Sequence, residues 1–183
     1  MSIDPVAHVS GERLQARLKD VLASPRDAGS LELIAFRPRA RTRELAEAAE
    51  LDLKRGVVGD RWGRSGRRNP ELQVTLMNSR VAALVAGGDD HVAWAQAGDQ
   101  LYVDLDLSEA NLPPGTLLEI GGEVALEISE VPHTGCGKFI KRFGVDAMKF
   151  VNSPEGRKLR LRGANARVVE PGTVCKGDTV RKA

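Results

Sequence analysis

Residues 117–131 read LLEIGGEVALEISEV, two short runs of apolar and acidic residues on either side of Gly121 and Gly122. Paired glycines between two strand-like runs are a hairpin signal, because glycine tolerates the backbone angles of a tight turn. We therefore expect antiparallel strands over residues 117–120 and 124–131. An isolated hairpin is marginal in water, so further strands must pack beside it.

The rest of the chain supplies such strands. Residues 101–107 alternate apolar and acidic side chains, the pattern of a strand with one solvated face. Apolar runs bounded by turn residues predict further short strands at 31–36, 72–77, 164–169 and 178–181. Many short strands with turns between them favour a barrel or sandwich over a parallel sheet. Aromatic residues make up only 4% of the chain, so aliphatic side chains are expected to fill most of the core.

Three other segments carry apolar residues at helical spacing, which predicts helices over 12–23, 79–86 and 138–152. Gly144 is expected to divide the last of these into two helices. Residues 42–53 are rich in Ala, Glu and Leu and also favour a helix. The predicted fold class is therefore mainly β with peripheral helices.

The composition is that of one folded domain, with 42% hydrophobic and 28% charged residues and no internal repeat or low-complexity linker. We expect a single domain over residues 31–183, preceded by an N-terminal helical extension over residues 1–30. No signal peptide is recognisable, and no stretch approaches the roughly 20 apolar residues of a membrane span. The two cysteines are too few for a disulfide scaffold. These features predict a cytoplasmic protein with reduced thiols and no membrane contact.

The net charge is only +2, but the basic residues are unevenly distributed. No Lys or Arg lies between Arg80 and Lys138, where ten acidic residues occur, whereas twelve basic residues lie from Lys138 to Lys182. Such clusters bind an anionic small molecule through planar guanidinium groups, or they form solvated surface. Nucleic acid is not expected as a partner, because the basic segments lack interleaved stacking aromatics. The clustered arginines are Arg61, Arg64, Arg67 and Arg68 in the glycine-rich loop 56–70, and Arg160, Arg162 and Arg167 around Gly163.

The segment Pro132-His133-Thr134-Gly135-Cys136-Gly137-Lys138 carries the clearest chemical signal. A predicted strand ends just before it and a predicted helix begins just after Cys136. The helix macrodipole and the charge of Lys138 favour the nucleophilic thiolate, and the flanking glycines leave the sulfur accessible. The alternative is a small buried cysteine without chemistry. His133 either accepts the thiol proton, orients a substrate, or is a hydrogen-bonded turn residue.

The second cysteine, Cys175, lies among turn residues near the C-terminus. It either meets Cys136 as a resolving thiol or has a structural or incidental role. Three scattered histidines and two distant cysteines do not form a metal-binding pattern. The chain also lacks a phosphate-binding loop, a dinucleotide-binding glycine motif and a serine nucleophile elbow, so nucleotide-dependent and serine-hydrolase functions have no support.

Six segments of the chain carry motifs in a definite order. They are Gly56-Val57-Val58-Gly59-Asp60-Arg61, Ala97-Gly98-Asp99-Gln100-Leu101 and the segments 114–121, 132–136, 162–166 and 172–178. This order resembles that of the MOSC (molybdenum cofactor sulfurase C-terminal) domain family, in particular its bacterial stand-alone members, from about residue 31 to the C-terminus. Two departures affect the ligand pocket: Trp62 stands where a histidine is common, and Asp99-Gln100 replaces Glu-Asn.

The resemblance implies a MOSC-type β-barrel in which Cys136 carries sulfur as a persulfide or ligates molybdenum. His133 and Lys138 would tune this thiol. The bound group would be the molybdenum cofactor (molybdopterin), a pterin-type molecule with an anionic phosphate. The residues implied to contact it are Asp60, Arg61, Arg162 and Asn165.

The resemblance also implies partner proteins. Sulfur would come from a cysteine desulfurase, so pyridoxal phosphate would act only through that partner. A molybdoenzyme or an electron-transfer protein would be a further partner. Two alternatives stay open: a molybdenum-cofactor-dependent reductase of N-hydroxylated compounds, and a barrel that binds a small ligand or a partner without using the cysteine. Enzyme activity, sulfurtransferase-like or reductive, is therefore undecided by the sequence.

Overall fold

The computed structural model describes residues 6–64, 66 and 68–183, and its central feature is a β-barrel. The strands are β1 (Ala28–Phe36), β2 (Glu44–Ala46), β3 (Ala48–Asp52), β4 (Gly56–Val57), β5 (Val74–Asn78), β6 (Leu101–Asp104), β7 (Leu117–Ile120), β8 (Val124–Pro132), β9 (Ala164–Glu170), β10 (Gly172–Cys175) and β11 (Thr179–Lys182). Among these described strands, seven close in the order β1, β11, β7, β8, β9, β5 and β6, and β6 pairs again with β1. Neighbours are antiparallel except β5 and β6, which run parallel.

Strand β1 closes the barrel because it pairs with three neighbours along its length. Its first residues pair with β11, its middle with β6 and its last residues with β2. A bulge between Leu31 and Leu33 changes which face the side chains present. As a result Leu31 points into the barrel interior, whereas Leu33 packs outside it.

Short helices cover the outside of the barrel. They are α1 (Gly11–Ala16), α2 (Leu18–Leu22), α3 (Ser79–Ala86), α4 (His91–Ala95), α5 (Gly137–Asn152) and α6 (Pro154–Lys158). The predicted helix over 79–86 and the predicted division of α5 at Gly144 are both confirmed. Across the described ranges, no helix is both long enough and apolar enough to span a bilayer. The mainly β fold with peripheral helices, predicted from the sequence, is confirmed.

The prediction of a helix over residues 42–53 is wrong. This segment forms β2 and β3, and β3 joins β4 and β10 in a separate three-stranded sheet. Ala49 and Leu51 are buried while their neighbours Ala48 and Glu50 are exposed, which is the alternation of a strand. Pairing with a strand more than a hundred residues away outweighs the helical preference of Ala, Glu and Leu.

Two hydrophobic cores hold these layers together. The barrel interior is aliphatic, as the low aromatic content predicts, with Leu76, Leu101 and Leu126 among its fully buried residues. A second core lies between the barrel and the helices, where Phe139 and Phe143 of α5 are buried. The N-terminal helices contribute to this second core, and α1 packs on α5.

Gly29 in β1 tests whether barrel closure controls stability. A Cβ atom at this position would lie 1.8 Å from the carbonyl oxygen of Asp104 in β6, so Gly29→Ala must push the two strands apart. We expect a loss of about 2–4 kcal/mol in the free energy of unfolding, measured by urea denaturation. The matched control is Gly88→Ala, where no atom lies within 4 Å of the added Cβ and a change within about 0.5 kcal/mol is expected. Equal effects in the two variants would contradict this account.

Candidate functional site

Cys136 lies between β8 and α5, on an extended residue that precedes the first turn of the helix. Its φ of −130° and ψ of 178° end the loop, and its carbonyl accepts the N–H groups of Phe139 and Ile140. Gly135 before it is buried, whereas Cys136 and Gly137 are exposed. The thiol is free and open to an approaching molecule. The alternative of a cysteine sealed in the core is therefore excluded.

The surroundings of the thiol favour its ionised form. Partial burial raises the pKa of the Cys136 thiol, but the amides of Lys138 and Phe139 and the charges of Arg162 and Lys138 outweigh it. The pKa of Cys136 is therefore lowered from its ordinary value. Arg142 also lies close enough to interact with the sulfur electrostatically. A lowered pKa in an exposed thiol is the property of a reactive cysteine.

Four arginines bind one turn of the chain, residues 95–98, which we call the arginine-bound turn, and two of them, Arg142 and Arg162, also interact with the Cys136 sulfur. Its four successive carbonyl oxygens each accept a hydrogen bond from a different guanidinium group. These bonds join Arg43 to Ala95 at 2.9 Å, Arg142 to Gln96 at 2.6 Å, Arg162 to Ala97 at 2.9 Å and Arg37 to Gly98 at 3.2 Å. Burial, and then the charge of Arg142, lowers the pKa of Arg43 to about 10, as expected where cations crowd together.

Asp99 follows this turn and is fully buried at the centre of the site. One of its carboxylate oxygens accepts a bond of 2.6 Å from Arg162, and the other lies 3.4 Å from Nδ1 of His133. Burial raises the pKa of Asp99, but the charge of Arg162 and the hydrogen bond that Arg162 donates outweigh this effect, so the pKa is lowered and the group stays ionised. Arg162 also lies over the ring of Phe139, 5.2 Å from its centre. The carboxylate thus joins β9, the loop after β8 and the helix that begins at Cys136.

The same region contains the unsatisfied polar atoms of the protein's interior. Within residues 6–64, 66 and 68–183, five buried side-chain atoms have no hydrogen-bond partner, and all belong to residues 96–100 or to His133 and Arg162, which lie against Asp99. Buried polar groups are normally paired, so their concentration in one place marks a site rather than a structural core. The atoms are Gln96 Oε1, Asp99 Oδ1, Gln100 Nε2, His133 Nδ1 and Arg162 Nε.

His133 lies on Asp99, and its side chain is 17% exposed. Burial lowers the pKa of His133 to about 4, with the charge of Arg162 acting in the same direction, so the imidazole is neutral at pH 7. Its Nδ1 lies 3.4 Å from a carboxylate oxygen of Asp99 without forming a hydrogen bond. Its role in tuning the thiol stays a prediction.

Asp60 connects the arginine-rich loop to Arg37. Its carboxylate binds Arg37 at 2.8 and 3.0 Å and accepts the backbone N–H groups of Arg37 and Trp62. The adjacent Arg61 is exposed and begins a short 3₁₀ helix, Arg61–Arg64. A cavity of about 200 Å³ opens here, lined in part by Asp60 and Arg64. Contact of Asp60 or Arg61 with a cofactor remains a prediction.

The other predicted residues are more dispersed. Asn165 is buried in β9 and donates to the carbonyl of Val131 at 3.0 Å, which ties β9 to β8 just before the cysteine loop. Arg160 and Arg167 do not join Arg162: Arg160 binds the carbonyl of Leu112, and Arg167 pairs with Glu127. Arg64 and Arg68 are exposed and bind backbone carbonyls, while Arg67 lies outside the described residues.

Cys175 ends β10, opposite Ala48 of β3, and is a free exposed thiol. Its backbone N–H binds Asp178 within the turn that leads to β11. Both cysteines are free thiols, and no disulfide joins them in this structure. A resolving role for Cys175 stays a prediction.

Sequence reasoning missed Asp99, Arg37 and Arg43 as members of the site. In the sequence, Asp99 stands out only because it replaces a glutamate that is common at this position in the family that the chain resembles. Its burial depends on strands and loops that are distant along the chain. Arg37 directly follows β1, and Arg43 directly precedes β2. The segment 37–43 that they bound has an arginine at every second position. That spacing is the one local signal that could have singled them out.

Comparison with solved structures bears on the fold. The chain is similar to the YuaD protein from Bacillus subtilis, with 16% identity and a TM-score of 0.56 over 84% of this chain and 94% of that one. It is also similar to YiiM from Escherichia coli, with 15% identity and a TM-score of 0.53 over 84% of this chain and 69% of that one. At such identities the likeness shows the fold alone, and the MOSC-type barrel predicted from the sequence is confirmed.

A curated protein sequence is also similar to part of this chain. A protein named "Reductase" from Gibberella moniliformis is 34% identical over an alignment of 141 positions that covers 68% of this chain and 22% of that protein. The chain therefore spans about a fifth of the length of this relative. No protein-family model matches the chain.

His133 makes the stability of the protein depend on pH. Its pKa is about 4 in the folded state and near 6.5 when unfolded, so below pH 6.5 protons bind the unfolded chain preferentially and stability falls until the pH reaches about 4. Between pH 7 and pH 5 this group alone should cost about 1–2 kcal/mol. Urea denaturation at both pH values should show a smaller loss in His133→Asn, whose amide still reaches Asp99. An equal loss in both proteins would show that His133 is not buried as described.

Proposed function

We propose that this chain is a MOSC domain of the bacterial stand-alone type, and that Cys136 is its working group. The thiol would carry sulfur as a persulfide or ligate the molybdenum of a pterin cofactor. The observation that carries the proposal is the exposed sulfur of Cys136 at the start of α5, with Arg142 and Arg162 beside it. The order of family motifs from residue 31 onward and the barrel fold support the family assignment.

A sulfur-carrier role requires little more than an accessible thiolate. The Cys136 thiolate attacks the terminal sulfur of a persulfide on a donor protein. A new S–S bond forms on Cys136, the S–S bond of the donor breaks, and the donor cysteine leaves as a thiolate, so no external oxidant or reductant is needed. Arg142, Arg162 and Lys138 stabilise negative charge on the incoming and outgoing sulfur. The amides at the start of α5 contribute in the same way.

The residues at the site also fit the molybdenum cofactor. Thiolate is a soft ligand suited to such a metal, and Arg142 makes no salt bridge among the described residues, so its guanidinium is available to an anionic phosphate. The unpaired Nε of buried Arg162 is a further donor. The described residues contain no group of three metal-binding side chains, so the metal would bring its remaining ligands with the pterin. When bound, the cofactor supplies a metal that changes oxidation state, as a reduction requires.

The partners follow from this chemistry. The donor would be a cysteine desulfurase, and pyridoxal phosphate would belong to that enzyme rather than to this chain. The acceptor would be a molybdoenzyme or, for the reductase alternative, an electron-transfer protein would supply electrons. A cytoplasmic setting suits a reactive thiol that must stay reduced. We expect neither nucleic acid nor membrane among the partners.

The carrier role is tested by persulfide formation. Incubating the purified protein with a cysteine desulfurase and free cysteine, followed by intact mass measurement, should show a gain of about 32 daltons, one sulfur atom, that a reductant removes. Cys136→Ala should abolish the gain, whereas Cys175→Ala, which removes the other exposed thiol, should retain it. No adduct in the wild-type protein, or an adduct that survives in Cys136→Ala, would contradict the carrier role.

A second candidate is a molybdenum-cofactor-dependent reductase of N-hydroxylated compounds. The specific observation in its favour is the 34% identity to a protein named "Reductase". Its electrons would come from a partner, since the chain spans only a part of that relative. It differs from the carrier role because it requires stoichiometric metal.

Metal and pterin content separate these two candidates. Protein purified from a host that makes molybdenum cofactor should contain about one molybdenum and one pterin per chain if it is the reductase. Cys136→Ala should lose most of the metal, because a ligand is removed, while the control Cys175→Ala should keep it. Wild-type protein that contains no metal but still forms the persulfide would contradict the reductase role and support the carrier role. Protein with neither metal nor persulfide would favour the cysteine-independent barrel.

A further inference from the structure

Asn152, the last residue of α5, holds the loop that carries Cys136. Its side-chain Oδ1 accepts the N–H of Gly135 at 2.9 Å, and its Nδ2 donates to the carbonyl of the same residue at 3.2 Å. The two bonds therefore fix both sides of Gly135, including its peptide bond to Cys136. Only an amide provides a donor and an acceptor in this arrangement.

The contact joins the two ends of one helical segment. In a straight α-helix, residues 137 and 152 would lie roughly 22 Å apart, so Asn152 could not reach the residue that precedes the helix. The helix is not straight, because Gly144 has φ 89° and ψ 171° and interrupts it. The second half of α5 thereby turns back toward the cysteine loop.

Glycine is required at the break. The angles of Gly144 belong to a region that residues with a Cβ rarely adopt, and an added Cβ would also lie 2.9 Å from the ring of His8. The contact at the other end is equally close. A Cβ on Gly135 would lie 2.6 Å from the sulfur of Met148 and 3.3 Å from Val151, so the loop is pressed against the second half of the helix.

We propose that Asn152 is the positioning residue of Cys136, and that the break in the helix at Gly144 brings Asn152 within hydrogen-bonding distance of the cysteine loop. Asn152 fixes the Gly135–Cys136 peptide, and this sets the direction in which the thiol leaves the backbone relative to the amides of Lys138 and Phe139. The proposal rests on the proposed function, because it assigns a role in presenting the working thiol. Neither residue belongs to the group implied to contact the cofactor.

The test measures the reactivity of Cys136 in a Cys175→Ala background, where it is the single thiol. Iodoacetamide alkylation rates across a pH series give the thiol pKa and the rate at pH 7. Asn152→Ala should raise the pKa of Cys136 and slow alkylation at pH 7 about three- to tenfold, because the thiolate is no longer held toward the amides. Asn152→Asp keeps the acceptor for Gly135 but loses the donor and adds a negative charge, so it should also raise the pKa.

The matched control is Asn111→Ala. Asn111 is a buried asparagine whose Nδ2 donates to two backbone carbonyls, those of Arg26 and Asp106 at 2.8 Å each, in a different loop. It should lower the melting temperature without changing the alkylation profile of Cys136. An unchanged thiol pKa in both Asn152 variants, with only the melting temperature lowered, would show a purely structural role and overturn the proposal.

The outcome is distinguishable from failure of the proposed function. The reference is the pKa of Cys175, measured in Cys136→Ala. If Cys136 in the parent protein titrates no lower than Cys175, the reactive thiol itself is disproved. If it titrates lower and the Asn152 variants leave it unchanged, only the positioning role is disproved.

Discussion

The buried carboxylate of Asp99 is the interaction on which the site depends. An ionised group with no exposed surface is costly unless it is paired, and Arg162 at 2.6 Å supplies the pairing. Arg162 lies two residues before β9, and Asp99 lies two residues before β6. The pair therefore connects the segments that lead into these two strands of the barrel. His133 completes the contact from the loop after β8. The position of the Cys136 loop is thereby coupled to the barrel.

The arginine-bound turn extends this arrangement. Residues 95–98 begin at the last residue of the short helix α4 and continue beyond it, where the carbonyls have few intrahelical partners. Guanidinium groups satisfy these carbonyls, and the same bonds gather positive charge beside Cys136. The pairing of these largely buried backbone carbonyls, a structural need, therefore also places positive charge near the thiolate. The unpaired polar atoms of residues 96–100 and of His133 and Arg162 indicate a site in this region, because buried polar groups are normally hydrogen-bonded.

The sequence predicted the position of the thiol well and its surroundings poorly. Glycines on both sides of Cys136, a strand before it and a helix after it are local features, and they indicate an exposed sulfur at a helix start. Arg162 lies in the site as predicted, but its carboxylate partner there is Asp99, which the sequence did not indicate. Asp60 forms its ion pair with Arg37. Arg160 and Arg167, close to Arg162 in sequence, bind elsewhere, because neighbouring residues on a turn and a strand point in different directions.

The sequence by itself determined the seven strands of the barrel, the hairpin at 117–131, the broken helix after Cys136 and the mainly β class, because these follow from local periodicity and turn residues. Only the tertiary structure decided that residues 42–53 form strands, since their pairing with β10 outweighs local preference. It also decided that Arg37, Arg43, Arg142 and Arg162 meet on one turn and that Asn152 reaches Gly135. Such contacts join residues 17 to 65 positions apart. They exist only after the barrel has closed and α5 has turned back, and no local pattern encodes them.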